Sequence, residues 1–297
     1  MTTDIRRGVR VYLEMIRFSH TLLALPFAAV ALMLAVKRLD EVRPWDVVGV
    51  LACMVFARSA AMGFNRWADR DIDAKNPRTA SRHLPAGVLS AKQVELFTVV
   101  CSLLFAASTG FFLLSSGNWL PLAFSVPMLL FLFGYSYAKR FTSLSHLWLG
   151  TALAASPVAV WVALLPPGFW LPYFLLAGVV ALWVAGFDVI YACQDFTVDR
   201  ELGLHSIPAK FGVGGALWIA RLLHLLMLVA LALFGLATPE LGRWFWIGFG
   251  IVSMLLVVEH WLARTQDLAK INLAFFQMNA AIGVVLLVTV GIDLAQR

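Results

Sequence analysis

Of 297 residues, 61% are hydrophobic and 13% charged, and the mean hydropathy is +0.84; these values exclude an ordinary soluble domain and place the chain in a membrane. A formal charge of +6 would suit nucleic acid in a soluble protein, but here the basic residues cluster beside apolar segments, as cytoplasmic membrane flanks do, so no nucleic-acid partner is expected. Cys53, Cys101 and Cys193 fall in or at the end of apolar runs at unrelated spacings, so neither a disulfide framework nor a zinc site follows.

A helix crossing the hydrocarbon core needs about 20 largely apolar residues. Nine stretches meet this: Phe18 to Val36, Asp46 to Phe64, Val94 to Leu114, Trp119 to Tyr137, His146 to Leu164, Trp170 to Tyr191, Val213 to Leu236, Trp244 to Leu262 and Leu273 to Val290. The first is too long for a signal-peptide core, so it is read as a span. No Ser-, Pro- or charge-rich linker interrupts the series. The expectation is an all-α polytopic membrane protein, a bundle of nine transmembrane helices forming a single domain over residues 1–297. Sixteen of the 23 Lys and Arg fall in connections on one side and five on the other. That excess places the N-terminus and the two long loops, after spans two and six, in the cytoplasm. The expected location is the cytoplasmic (inner) membrane, with Trp119, Trp170 and Trp244 in the aromatic belt.

The long loop after span two begins a run from Asn65 to Gly87, the most charged stretch of the chain. On a helix, a four-residue step advances by about 40°, so Asn65, Asp69 and Asp73 line one stripe and Asp71 points away. Asp195 and Asp199 repeat the step after span six. Carboxylates four apart lie about 6 Å from one another, roughly 3 kcal/mol of repulsion at an effective dielectric near 20, and such pairs call for a cation. Both stretches continue alike. Arg78, Arg82 and His83-Leu84-Pro85-Ala86 follow the first; Arg200 and His205-Ser206-Ile207-Pro208-Ala209, then Lys210, follow the second. This reads as a diverged duplication, two half-sites at about 46–90 and 170–212 whose facing copies would form one pocket.

Mg²⁺ prefers oxygen ligands and commonly joins a few carboxylates to substrate phosphates. Paired aspartate clusters below loop cations therefore suit a diphosphate held by magnesium; the plainer alternative for either stretch is a solvated loop rich in both signs. Arg58 lies seven residues before Asn65, and Asp188 seven before Asp195, so each stripe extends into its span. A charge at membrane depth costs at least about 2.5 kcal/mol and is functional by default. Arg58 and Asp188 either pair with each other, or bind an acidic acceptor through Arg58 and orient it through Asp188 and Tyr191; the two readings are compatible.

These residues carry a resemblance. Asn65-xxx-Asp69-xxx-Asp73 and Asp195-xxx-Asp199, with Ile16-Arg17-Phe18-Ser19-His20 and Tyr135-Ser136-Tyr137-Ala138-Lys139-Arg140-Phe141, resemble the UbiA family of intramembrane aromatic prenyltransferases over essentially the whole chain. The run from Asp188 to Gly212 is most similar to its 4-hydroxybenzoate polyprenyltransferase-like branch, some members of which are associated with menaquinone made by the futalosine route. The resemblance implies that Asn65, Asp69, Asp73, Asp195 and Asp199 hold Mg²⁺ on a polyprenyl diphosphate. Arg78, Arg82, Lys139 and Arg200 neutralise its remaining charge, the allylic C–O bond ionises, and the ring of a hydroxylated aromatic acid attacks. The isoprenoid tail leaves between helices into membrane lipid.

Arg17 reads either as a ligand of the acceptor carboxylate or as a headgroup anchor, and Tyr135 and Ser136 as acceptor-pocket or interfacial residues. The six histidines, His20, His83, His146, His205, His224 and His260, show no metal-ligand spacing, and most are read as helix-end or packing residues. Arg221 and Glu259 are intramembrane charges with no role beyond pairing with each other. Three alternatives stand beside this: prenylation of a dihydroxynaphthoate, an ion transporter, which would need polar residues running through to the outer face, and a lipid phosphotransferase, which would crowd its acids into one stretch.

Overall fold

The structure is a computed structural model that describes residues 2–16, 21–39, 43–165, 168, 170–264 and 277–296. Arg17, with Phe18, Ser19 and His20, lies outside them. All regular structure among the described residues is helical: α1 Thr2–Met15, α2 Thr21–Arg38, α3 Pro44–Ala68, α4 Arg70–Lys75, α5 Ala91–Ser116, α6 Leu120–Ala138, α7 Ser145–Leu164, α8 Trp170–Ala192, α9 Phe196–Glu201, α10 Ile207–Ala237, α11 Arg243–Ala263 and α12 Asn279–Gln296. Eight segments among the described residues are long and apolar enough to cross a membrane, and they correspond to the second through ninth expected spans. The first expected span begins outside the described residues and continues as α2.

Packing divides the chain into two compact units, Met1–Leu22 with Pro44–Tyr137, and Leu23–Arg43 with Ala138–Arg297. In the first, α3 lies along α5. Ser90 and Gln93 start α5 with a reciprocal capping box, Gln93 N donating to Ser90 Oγ at 3.3 Å and Ser90 N to Gln93 Oε1 at 2.9 Å. Gly117 ends α5 at φ 72°, a left-handed conformation that a side chain would resist. Phe64 of α3 stacks on Phe133 of α6 with ring centroids 4.3 Å apart.

The helix α1 is an addition to the expected topology. A hydropathy reading passes over it because it is amphipathic rather than apolar throughout. Met15 and Ile16 bury against Leu89 and Val94, with Tyr12, Met62, Trp67 and Phe97 around them, and Tyr12 stacks on Phe97 at 5.1 Å.

In the second unit, α8 packs between α7 and α10, and α11 runs against α12. At the crossing of α7 and α8, a Cβ on Gly150 would collide with the backbone carbonyl of Ala181. Ser206 caps α10 by accepting from Ala209 N at 3.2 Å, and Pro208 occupies its first turn, where no helical N–H is needed. Gly212, at φ 72° and ψ 167°, kinks the helix one turn later. The start of α11 is capped from another helix: the Asp293 carboxylate of α12 accepts from Gly242 N and Phe245 N, each at 2.8 Å. Outward faces remain apolar, as lipid contact requires, with Leu114, Leu236 and Met254 among the most exposed side chains.

Candidate active site

At the end of α3 the backbone ladder continues through Asp69 N to Asn65 O at 2.9 Å and Asp73 N to Asp69 O at 2.8 Å. Helical spacing is therefore kept across the junction with α4, and Asn65, Asp69 and Asp73 are all buried. Asp71 faces away, exposed, 3.8 Å from Arg70. Asn65 Nδ2 donates to Asp69 Oδ2 at 3.0 Å and, at 3.4 Å, to Ser136 Oγ of α6. Arg82 Nη1 donates to both oxygens of Asp73, at 2.7 and 2.8 Å. The loop between them is tied down by Thr79 Oγ1 donating to Asp73 O at 3.0 Å, and by Arg78 N donating to Asn76 Oδ1 at 3.0 Å. Two turns before Asn65, Arg58 lies half-buried within electrostatic reach of Tyr135. The first unit thus brings together Asn65, Asp69, Asp73, Arg82 and Ser136, with Arg58 and Tyr135 deeper on the same pair of helices.

In the second unit, α8 passes through a short 3₁₀ turn, Cys193–Asp195, into α9. The continuous segment Trp170–Glu201 has 32 residues, about 48 Å of helix at 1.5 Å per residue. It outruns the hydrocarbon, and its last turns can carry carboxylates. Asp199 is buried, accepts a hydrogen bond from Ser206, and has Lys139, Asp195 and His146 within electrostatic reach. Lys139 is anchored by its own backbone, its carbonyl accepting from His205 N at 2.7 Å.

Asp188, half-buried in α8, is held by His146: Nδ1 to Oδ2 is 2.7 Å. Ile207 N donates to His146 Nε2 at 3.4 Å, so Nε2 accepts and Nδ1 carries the proton toward Asp188. Tyr191 is half-buried one turn further along α8. Arg200 is exposed over the Phe196 ring at 5.6 Å, and with His205 and Lys210 it lines a cavity of about 580 Å³.

His146 was beyond sequence reasoning. It lies 42 residues from Asp188 and shares no spacing with it. Ser206 was within reach, since a serine before Ile-Pro is a helix-start signal. The intramembrane pair left without a role separates: Glu259 accepts from Asn279 Nδ2 at 3.1 Å, and Arg221 lies over the Trp218 ring at 4.7 Å.

Among the described residues, no three His, Cys, Asp or Glu side chains converge on a point that could hold a metal ion. The first unit offers three oxygen-bearing side chains on one stripe, Asn65, Asp69 and Asp73, and the second offers two, Asp195 and Asp199. That donor set fits a hard divalent cation that takes one or two carboxylates and completes its shell with water and phosphate oxygens. Asn65 is compatible with this role, because its carboxamide oxygen has two lone pairs and receives the long 3.4 Å contact from Arg66 Nη1 on one of them.

The fold, with eight described segments long and apolar enough to cross a membrane, defines a helical integral membrane protein, and each unit carries its own run of aspartates. The pattern of the UbiA prenyltransferase family matches residues 24–281, and the chain belongs to that family. It is an enzyme of the prenyltransferase class. It is 33% identical over 281 residues to a 4-hydroxybenzoate octaprenyltransferase of Vibrio cholerae serotype O1, covering 91% of this chain and 93% of that one. A 4-hydroxybenzoate octaprenyltransferase of Xanthomonas campestris pv. campestris is 32% identical over 253 residues, 85% of this chain and 81% of the relative. Among solved structures, the apo structure of a UbiA homolog from Aeropyrum pernix K1 superposes with a TM-score of 0.81 at 30% identity, over 93% of this chain and 98% of the other. A UbiA homolog from Archaeoglobus fulgidus bound to GPP and Mg²⁺ shares the fold, with a TM-score of 0.67 at 17% identity over 96% and 99% of the two chains.

Proposed function

We propose that this protein transfers a polyprenyl group from polyprenyl diphosphate to the ring of 4-hydroxybenzoate, a Mg²⁺-dependent step of quinone biosynthesis carried out at the cytoplasmic face of the inner membrane. The observation that carries the reading is the Asn65–Asp69–Asp73 stripe, buried yet built of hard oxygen donors, in a chain that matches curated 4-hydroxybenzoate octaprenyltransferases over most of its length. When bound, the magnesium ion would supply charge neutralisation to the departing diphosphate. Asn65, Asp69, Asp73, Asp195 and Asp199 are the groups assigned to hold it.

Arg78, Arg82, Lys139 and Arg200 are assigned to the diphosphate oxygens. Arg82 would pass from Asp73 to phosphate as the substrate arrives, exchanging one charge-assisted hydrogen bond for another. With the leaving group neutralised, the allylic C–O bond breaks and the electron-rich ring carbon of the acid attacks; loss of the ring proton restores aromaticity. Arg58 is assigned to the acceptor carboxylate, with Tyr135 and Ser136 beside it. Asp188 orients the phenol together with Tyr191, and His146 fixes the Asp188 carboxylate through its Nδ1 hydrogen. Arg17 completes the set as a second carboxylate ligand.

The test uses membranes containing the protein, one polyprenyl diphosphate, and either 4-hydroxybenzoate or a dihydroxynaphthoate. Transfer to 4-hydroxybenzoate is expected; transfer to the naphthoate alone would overturn the assigned acceptor. In the same assay, Arg58→Ala is expected to raise the KM for the acid by about tenfold or more, the loss of a charge-assisted hydrogen bond, with little change for the prenyl diphosphate. The reverse pattern would move Arg58 to the diphosphate.

A further inference from the structure

The residue after Asn65 is an arginine with no part in binding either reactant in the proposed reaction. Arg66 is 6% exposed, and it turns its guanidinium in two directions. Nε donates to the carbonyl of Met15, the last residue of α1, at 3.2 Å, and Nη1 makes the 3.4 Å contact with Asn65 Oδ1. The Asn65 amide is thereby oriented. Its oxygen faces Arg66 and its NH₂ faces Asp69 Oδ2 at 3.0 Å; the flipped amide would set oxygen against carboxylate on one side and NH₂ against guanidinium on the other. The C-terminal carbonyls of a helix lack intrahelical donors, and Arg66 supplies one of them. A single buried cation therefore joins the end of α1 to the first acidic stripe.

We propose that Arg66 is a positioning residue for prenyl transfer, a strut between α1 and Asn65 that sets the orientation of the Asn65–Asp69 pair and makes it depend on α1 being seated. The inference rests on the reading of Asn65 and Asp69 as ligands of the divalent ion. Arg66 touches neither reactant; it acts through Asn65 and, one hydrogen bond further, through Asp69. What seats α1 is visible too: Tyr12 stacks on Phe97, and Met15 and Ile16 pack on Leu89 and Val94. Loosening that seat removes the carbonyl that holds the far side of Arg66, so a change in α1 well away from any carboxylate is carried to the stripe.

The experiment compares purified wild type, Arg66→Ala, Arg66→Lys and Tyr12→Ala in lipid bilayer discs. Mn²⁺ binding in the presence of inorganic diphosphate is read from the electron paramagnetic resonance of free Mn²⁺, and hydrogen exchange of the α1 amides is followed in parallel. Removing a group that orients a metal ligand costs 10- to 100-fold in affinity. Half-saturating Mn²⁺ is therefore expected to rise about tenfold in Arg66→Ala, to recover partly in Arg66→Lys, and to shift the same way in Tyr12→Ala. The α1 amides should exchange faster in Arg66→Ala. Unchanged Mn²⁺ binding in folded Arg66→Ala overturns the proposal. If that variant does not fold, unchanged binding in Tyr12→Ala overturns it, since seating α1 would then be irrelevant to the stripe. Wild type that binds Mn²⁺ but prenylates no aromatic acid would instead overturn the proposed function and leave the strut standing.

Discussion

Replacing Asp69 with alanine is expected to lower prenyl transfer more than about 100-fold, because even residues that only orient a metal ligand cost 10- to 100-fold when removed. Asp69 is 4% exposed and takes the hydrogen bond of Asn65 Nδ2 at 3.0 Å. Alanine therefore removes a donor oxygen and also leaves a buried amide hydrogen short of an acceptor, which adds a stability cost of about 1–3 kcal/mol. Asp69→Asn separates the two effects. It keeps the shape and can still accept from Asn65, so the fold should hold while transfer falls as far as in the alanine variant. Asp71→Ala is the control, since Asp71 points into solvent, its nearest cation Arg70 being 3.8 Å away; transfer should be unchanged. Steady-state rates and thermal unfolding of the three proteins in detergent check this. Full activity in Asp69→Asn would show that the negative charge is not needed.

The second large effect is steric. Gly150→Ala directs a methyl group at the carbonyl oxygen and main-chain atoms of Ala181, and a backbone cannot turn aside as a side chain can. The α7–α8 crossing must open. Overpacking of this kind costs about 1–3 kcal/mol and sometimes more. The cost falls on the helix that carries Asp188 and leads to Asp195, and on the helix whose first residues include His146. Both lower thermal stability and lower transfer are expected. Gly178→Ala, on α8 with nothing within 4 Å of the added carbon, should keep its melting temperature or gain slightly, as alanine is the better helix former by up to about 1 kcal/mol. Equal stabilities for the two variants would contradict the close crossing.

The second to ninth spans were legible in the sequence because membrane insertion imposes a long apolar run on each of them. The acidic stripe was legible because the helix period turns a four-residue step into one face, and Asn65, Asp69 and Asp73 keep that step through the α3–α4 junction. Less could be read where an interaction joins residues far apart without a shared period. His146 holds Asp188 at 2.7 Å, yet no spacing links them; only the packing of α7 on α8 does. The helix α1 escapes a reading tuned to hydropathy because it is amphipathic rather than apolar throughout, and with it goes the contact of Arg66 with the Met15 carbonyl, which no spacing in the sequence shows. The family resemblance implies a diphosphate role for Arg82, whereas its pairing with both oxygens of Asp73 needs the fold of the intervening loop.

In the proposed reaction the aspartate stripes work through a divalent cation on the prenyl diphosphate. This is tested most directly by measuring transfer to 4-hydroxybenzoate by the purified protein in lipid, in excess chelator and again after Mg²⁺ is restored, with Asp195→Ala alongside. No transfer is expected in chelator, with recovery on adding Mg²⁺ and no recovery in Asp195→Ala. Transfer that proceeds equally well in chelator would contradict the role of the cation.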